Sequence, residues 1–311
     1  MEFTMAAESP FSLEYTLESG QAFRWQNQGE WWYGVVGGGV LKLRQEGDIL
    51  RCVSNSDRLD GAFVSQYFRF DVSLEDVLSS IMKDQTIALG VQTYYGLRLM
   101  RQDKWECLAS FVLATNANIP RIKGMVQSVC ARFGEPLQFE GLEYRAFPGP
   151  GTIAEAPVKD LSACGLGYRA PFLKRVAESV DDGRVDFSEL SVLGYEDARG
   201  SLVRQLEGGK LLPGVGPKVA DCVLLFSFDM DEAFPIDVWI ARQVAKYYPS
   251  LLDPQTRAKL APERRAKIGK GDYDRISSSV RSYFGPYAGY AQQYLFMMAR
   301  SAKDVAQRRR P

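Results

Sequence analysis

The chain has 311 residues, of which 46% are hydrophobic and 24% charged, and its 38 basic side chains are balanced by 38 acidic ones. That is enough apolar material for two or three domains with real cores, and zero net charge means that a polyanionic partner must be met by local clusters. There is no histidine, which removes the usual ligands of hydrolytic zinc and the base of a histidine triad. Five scattered cysteines, at 52, 107, 130, 164 and 222, read as reduced thiols. No apolar run reaches membrane-spanning length, and the opening MEFTMAAESP lacks a basic stretch followed by an apolar one. An intracellular chain with no membrane partner and no signal peptide is therefore expected.

From Phe11 to Val53 short runs alternate apolar and polar residues, as in Val40-Leu41-Lys42-Leu43-Arg44, and are broken by Gly-rich turns at Gly37 to Gly39 and near Gly47. This predicts an antiparallel sheet. After Ser73, whose hydroxyl with Asp76 resembles a capping box, the period becomes helical and stays so. The spacing predicts a helix from Pro120 to Phe133, with Ile122, Met125, Val126, Val129, Cys130 and Phe133 on one face. A Pro/Gly-rich passage from Pro136 to Pro157 then separates two helical regions. The fold class is α+β: an N-terminal antiparallel sheet domain with flanking helices over 1–98, then mostly helical domains over 99–311, with the site between the helical parts.

The segment around Leu212-Pro213-Gly214-Val215-Gly216 is too short for strands and is flanked by apolar-periodic stretches, Ser201 to Leu206 and Lys218 to Phe226. It reads as a helix-hairpin-helix over about 195–228. Glycines let the hairpin turn tightly, so bare N–H groups at the start of the second helix can approach a phosphate, and Pro217 suits its first turn. Lys218 would sit in that first turn, where the helix dipole and apolar neighbours both disfavour an ammonium. An amine held against C1′ of an extruded nucleoside can displace the base and leave a Schiff base. Asp237, before Val238, Ala241 and Val244, would stabilise positive charge on the sugar and cap the next helix. Each residue also has a plain alternative, a solvated helix lysine and a simple cap.

LPGVGPKVADC followed by PIDV resembles the helix-hairpin-helix DNA glycosylases, in particular the 8-oxoguanine DNA glycosylase branch. Four further segments, SGQAFRW (19–25), LMRQDKWECLASFVLATNANIPR (99–121), GLGYRA (165–170) and GPYAGYAQQYLF (285–296), are similar to that branch in the same order. The resemblance implies a base excision repair enzyme, a bifunctional N-glycosylase and abasic-site lyase. Lys218 would be its nucleophile, Asp237 its acid/base and electrostatic partner, and double-stranded DNA with 8-oxoguanine opposite cytosine its substrate. It also implies that the Gly20 carbonyl reads the lesion, that Gln292 meets the base's Watson–Crick edge, and that Phe296 and Cys222 hold its two faces. Asn116, Arg121, Tyr168 and Arg169 would fill the stack and contact the orphaned cytosine. Backbone N–H groups of Gly214, Gly216 and Val219 would bind phosphate. Carbonyls of Lys210, Leu212 and Val215 could hold a monovalent cation. A monomer is expected, acting in the cytoplasm at the nucleoid, or in the nucleus of a eukaryote.

Several residues keep a second reading on sequence alone. Gly20 fits a turn, Phe296 a core, Asn116 and Asn118 the cap of the helix at Pro120, and Arg169 a phosphate contact. Basic clusters are available at Arg121 with Lys123 and at Arg169 with Lys174 and Arg175, whereas Arg242 and Lys246 read as a solvated face. No cofactor is required, and no iron–sulfur cluster is expected because no cysteine follows Cys222. The chain departs from the family where a histidine and its carboxylate partner are expected, since it has Trp239 and Ala299 there. Trp239 would offer its indole N–H to the phosphate instead. Two other readings stay open: an alkylpurine glycosylase working with the aspartate alone, and a catalytically silent damaged-DNA-binding protein.

Overall fold

The computed structural model describes residues 1–206, 209–261 and 268–308. Strands β1 (Glu2–Ala6), β2 (Trp25–Gln28), β3 (Trp31–Val36), β4 (Gly39–Glu46) and β5 (Ile49–Ser54) form an antiparallel sheet in the order β1-β5-β4-β3-β2. Alternation sets the register: Leu41 and Leu43 of β4 are buried while Lys42 and Arg44 are not, and Leu43 pairs with Trp32 on one side and Cys52 on the other. Two features differ from the sequence expectation. Glu2–Ala6 adds an edge strand, and the stretch expected to start the sheet instead holds α1 (Leu13–Glu18). There Ser12 accepts a hydrogen bond from the Tyr15 N–H, and Leu13, Thr16 and Leu17 are buried at helical spacing.

The remainder is helical, with small hairpins. Helices α2 (Gly61–Tyr67), α3 (Leu74–Ile81), α4 (Gln85–Thr93), α5 (Lys104–Leu113) and α6 (Ile119–Phe133) lead to a two-stranded hairpin, β6 (Pro136–Phe139) and β7 (Leu142–Arg145). Then come α7 (Pro150–Glu155), α8 (Val158–Leu161), tight turns over Ser162–Arg169, α9 (Ala170–Asp181), α10 (Phe187–Val192) and α11 (Tyr195–Leu202). After two-residue strands β8 (Gln205–Leu206) and β9 (Gly209–Lys210), the chain ends in α12 (Pro217–Ser227), α13 (Val238–Tyr247), α14 (Pro254–Lys259), α15 (Lys270–Phe284) and α16 (Ala288–Arg308). The helix before the hairpin thus stops at Leu202 rather than running to Leu206, because backbone pairing of Gln205 with Lys210 takes over. Ser73 caps α3 as expected, and Asn118, not Asn116, caps α6.

Two buried clusters carry the fold. One lies under the sheet, around Trp25, Leu41, Leu43, Leu50 and Phe68. The larger joins α3–α6 to α9–α16 through residues such as Ile81, Leu108, Val129, Leu173, Val223, Ile240 and Tyr294. Residues 74–97 therefore contribute to the helical core although they precede residue 98. The junction is polar. Fully buried Arg98 donates to the carbonyls of Arg69, Val72, Glu8 and Pro10. Arg69 makes a two-pronged pair with Asp231 at 2.6 and 2.8 Å, tying the loop after α2 to the one between α12 and α13. The Asp231 carbonyl in turn accepts the Gly289 N–H at 2.7 Å. The start of α16 meets Leu225 of α12 and the loop after α12 there. A Cβ on Gly289 would fall 2.2 Å from Leu225 Cδ1 and 2.8 Å from the Ala233 carbonyl oxygen, so only glycine permits this approach.

Candidate active site

Helix α12 starts where the hairpin ends. Gly214 has φ +84°, and Gly216 is the extended N-cap ahead of Pro217 at the first helical position. No side chain caps this end, so its first N–H groups, Val219 among them, are available to an anion. Within the hairpin the Leu212 carbonyl accepts the Val215 N–H at 3.1 Å. A second lone pair on that oxygen remains for a cation.

Lys218 is half-buried in the first turn of α12. Its Nζ lies 5.1 Å from the centre of the Phe111 ring, and its charge acts on the Cys222 thiol one turn on. Phe111 is itself stacked on Phe226 and touched edge-on by Phe23 of the SGQAFRW segment. Phe111 is a site residue the sequence reading did not single out, because a phenylalanine in a mostly apolar helix carries no local sign of function. Burial pushes the Cys222 thiol up to about 11, with Lys218 opposing that rise. Cys222 is therefore an uncharged thiol at neutral pH.

Asp237 caps α13 as expected, its Oδ1 accepting the Ile240 N–H at 2.7 Å. The residue before it is held from behind: the Ile236 N–H donates to the Tyr273 hydroxyl, which donates to buried Asp221 at 2.5 Å. Asp221 also receives the Tyr195 hydroxyl at 2.8 Å and lies 3.0 Å from Arg199. Since Asp221 sits on α12 beside Cys222, the helix carrying the amine and the loop carrying the carboxylate are fixed to one another. Trp239, in the first turn of α13, is 47% exposed.

The residues expected at the lesion base converge. Gly20 has φ +79°, and a Cβ there would meet Ile119 Cδ1 at 3.0 Å and Phe296 Cε1 at 3.3 Å. Gln292 and Phe296 are one turn apart on α16, and Gly289, one turn before Gln292, lies against the Leu225 side chain, one turn after Cys222. Gln292 is buried, and its Oε1 has no hydrogen-bond partner among the described residues. A buried amide oxygen left unpaired costs free energy that a donor from a ligand recovers.

The residues expected at the opposite strand are placed differently. Tyr168 is 49% exposed, and its hydroxyl accepts from Asn116 Nδ2 and donates to the Thr115 carbonyl, both at 3.1 Å. Asn116 is at φ +53°. Arg169 is buried, not projecting toward an orphaned base. Its Nε and Nη2 both donate to the Thr115 carbonyl, and its guanidinium lies 4.5 Å from the Tyr168 ring centre. Lys174 is likewise occupied, closing the end of α7 through the carbonyls of Ala154 and Ala156. Arg121 is exposed at the start of α6.

A helix-hairpin-helix leading into a half-buried amine, a capping carboxylate and a buried amide oxygen without a partner among the described residues fit a DNA glycosylase of the lyase type. Residues 4–108 match the family model for the 8-oxoguanine DNA glycosylase N-terminal domain. The chain is 31% identical to an N-glycosylase/DNA lyase of Saccharomyces cerevisiae, covering 93% of this chain and 83% of that protein. It is also 31% identical to N-glycosylase/DNA lyase OGG1 of Arabidopsis thaliana, over 92% and 76%. The structure superposes with a TM-score of 0.81 on Clostridium acetobutylicum 8-oxoguanine glycosylase/lyase bound to double-stranded DNA containing cytosine opposite 8-oxoguanine, at 27% identity over 94% of this chain and 93% of that one. The chain belongs to the N-glycosylase/DNA lyase family of 8-oxoguanine DNA glycosylases.

Proposed function

We propose that this chain extrudes 8-oxoguanine paired with cytosine from double-stranded DNA, releases it through Lys218, and then cleaves the strand. The observation that carries this reading is Lys218 itself, seated between Phe111 and Cys222 on the helix whose open N-terminus follows the hairpin. Its amine attacks C1′ as the glycosidic bond breaks and the base departs with a proton. Ring opening gives the Schiff base, loss of the 2′ proton follows, and the 3′ C–O bond breaks by β-elimination. The Asp237 carboxylate, held by its own cap bond, opposes the positive charge that develops on the sugar.

Recognition of the base rests on donor and acceptor complementarity. At N7 the lesion has a donor where guanine has an acceptor, and the Gly20 carbonyl accepts it. Gln292 Oε1 takes the N1–H and 2-amino donors of the other edge, with Phe296 and the uncharged Cys222 thiol against the faces. Tyr168 wedges into the stack, and Asn116, Arg121 and Arg169 take the cytosine, Arg169 after releasing Thr115. Phosphates are held by the N–H groups of Gly214, Gly216 and Val219 and by the Trp239 indole, and the carbonyls of Lys210, Leu212 and Val215 take a monovalent cation. Among the described residues no helix is long and apolar enough to cross a membrane.

Borohydride reduction in the presence of an 8-oxoguanine:cytosine duplex tests the reading directly. A covalent protein–DNA adduct is expected for the natural chain, with none for Lys218→Gln and base release reduced at least roughly a thousandfold. Free base without an adduct would point to aspartate-only chemistry, and tight binding with neither product to a silent binder.

A further inference from the structure

Three glutamines surround the Gly20 loop, and two of them bond to the peptide groups either side of the reading carbonyl. Gln293 Nε2, from α16, donates to the Ser19 carbonyl at 2.7 Å, and Gln293 is only 2% exposed. Gln102 Nε2 donates to the Gln21 carbonyl at 2.7 Å, while the Gln102 N–H donates to the carbonyl of Phe226 near the end of α12. Gln21 is fully buried. Its Nε2 lies within donating reach of the Arg98 carbonyl and the Ser19 hydroxyl at 2.9 and 2.8 Å, and its Oε1 accepts the Met100 N–H at 2.7 Å. Carbonyls are the main-chain acceptors at each end, so the amide orientations follow from the chemistry.

We infer that Gln293 and Gln102, with Gln21 between them, are positioning residues that hold the Gly20 carbonyl toward the lesion and so set the discrimination between 8-oxoguanine and guanine. The inference rests on the proposed lesion and deepens it. The Ser19–Gly20 peptide is held from α16 and the Gln21–Ala22 peptide from the segment leading into α5. Between them lies the Gly20–Gln21 peptide, whose carbonyl and N–H point in opposite directions. If that unit turned over, a donor would replace the acceptor, and the site would then suit the N7 of guanine instead of the N7–H of the lesion. Turning over also carries Gln21 toward positive φ, where it does not lie now, a conformation costly for a residue with a side chain. That cost acts only while the Gln21 side chain and the two flanking carbonyls stay fixed. The neighbouring glutamines of α16 thus divide the work, Gln292 facing the base and Gln293 the scaffold that reads it.

The test uses the full chain with Gln293→Leu and, acting from the other side, Gln102→Leu. Affinity for 8-oxoguanine:cytosine and guanine:cytosine duplexes is compared, and base excision is compared with cleavage of a preformed abasic site, which has no base to read. The expected result for each variant is a roughly tenfold fall in the lesion-to-guanine affinity ratio, with a similar fall in excision relative to abasic-site cleavage. Gln293→Glu, which loses the donor but keeps the length, should resemble Gln293→Leu. An unchanged ratio, or excision and abasic-site cleavage falling in proportion, overturns the inference. Should one variant not fold, the other decides. If the natural chain itself fails to prefer the lesion over guanine, the proposed lesion is wrong, an outcome separate from variants that keep a preference the natural chain has.

Discussion

The two flanks of the site are prepared in different ways. Around the proposed lesion site the structure is complete before DNA arrives: Gly20 is held on both sides by the amides of Gln293 and Gln102, Phe296 abuts it, and Gln292 presents an oxygen unpaired among the described residues. On the flank that meets the opposite strand the polar groups are turned on one another, with Asn116 on Tyr168 and both Tyr168 and Arg169 on the Thr115 carbonyl. A rigid reader gains affinity by losing little entropy on binding, whereas a self-satisfied cluster must exchange internal bonds for bonds to DNA. On the proposed assignment of these residues, chemical selectivity falls where the structure is fixed, and the sensing of a disrupted pair where it can rearrange.

The largest effect should come from disturbing the fixed flank. Gly20→Ala combines a positive φ with a contact of 3.0 Å to Ile119 and 3.3 Å to Phe296, strain of about 1–3 kcal/mol. Lesion affinity should drop roughly tenfold to a hundredfold, with affinity for an undamaged duplex little changed. Equal losses on both duplexes would show that Gly20 supports the fold and does not read the base. A smaller, opposite effect is expected on the adaptable flank. Tyr168→Phe keeps the ring that enters the stack and removes the hydroxyl that ties up Asn116 and Thr115, so binding to lesion:cytosine duplex should tighten about twofold to fivefold. Weaker binding would mean that the hydroxyl works on DNA rather than against it.

The smallest effect concerns the thiols, including Cys222 on the fixed flank. Burial pushes Cys52 up to about 12, Cys130 and Cys222 up to about 11, and Cys107 and Cys164 upward as well, all from an ordinary 9.0. The unfolded chain releases these protons near that ordinary value and the folded chain retains them. Stability is therefore unaffected by the thiols below about pH 9 and falls as pH rises from there toward 11. Urea midpoints measured across that range should decline, and Cys222→Ala should make the decline shallower. A flat profile would show that the thiols ionise in place.

Much of this was legible in the chain, for identifiable reasons. The hairpin announces itself through Gly214, Gly216 and Pro217, and the helix ending at Phe133 through its apolar period, because both depend on local backbone chemistry. Lys218 and Asp237 could be named because LPGVGPKVADC followed by PIDV resembles the glycosylases, whereas alone each reads equally as a solvated helix lysine and a simple cap. The strand at Glu2–Ala6 and the helix at Leu13–Glu18 escaped, one being defined by its partner β5 and the other being under two turns long. The state of Arg169 was also hidden, since its carbonyl partner is set by how the turn at Gly165 to Gly167 folds back on Thr115. Phe111, Tyr273 and Gln293 matter through contacts far away in sequence, which no local pattern encodes.

The contact of α16 with Leu225 of α12 and the loop after it, at Gly289, bears on how the molecule is made. Residues are synthesised in order, and a nascent chain grown as far as Asp237 already contains the amine, the carboxylate and the hairpin. Gln292, Gln293 and Phe296 have yet to be translated. Until α16 docks, the Ser19 carbonyl lacks its donor and the recess lacks a wall. The capacity to break a strand is thus encoded ahead of the capacity to choose a base, and docking of α16 through a residue with no side chain brings the two together.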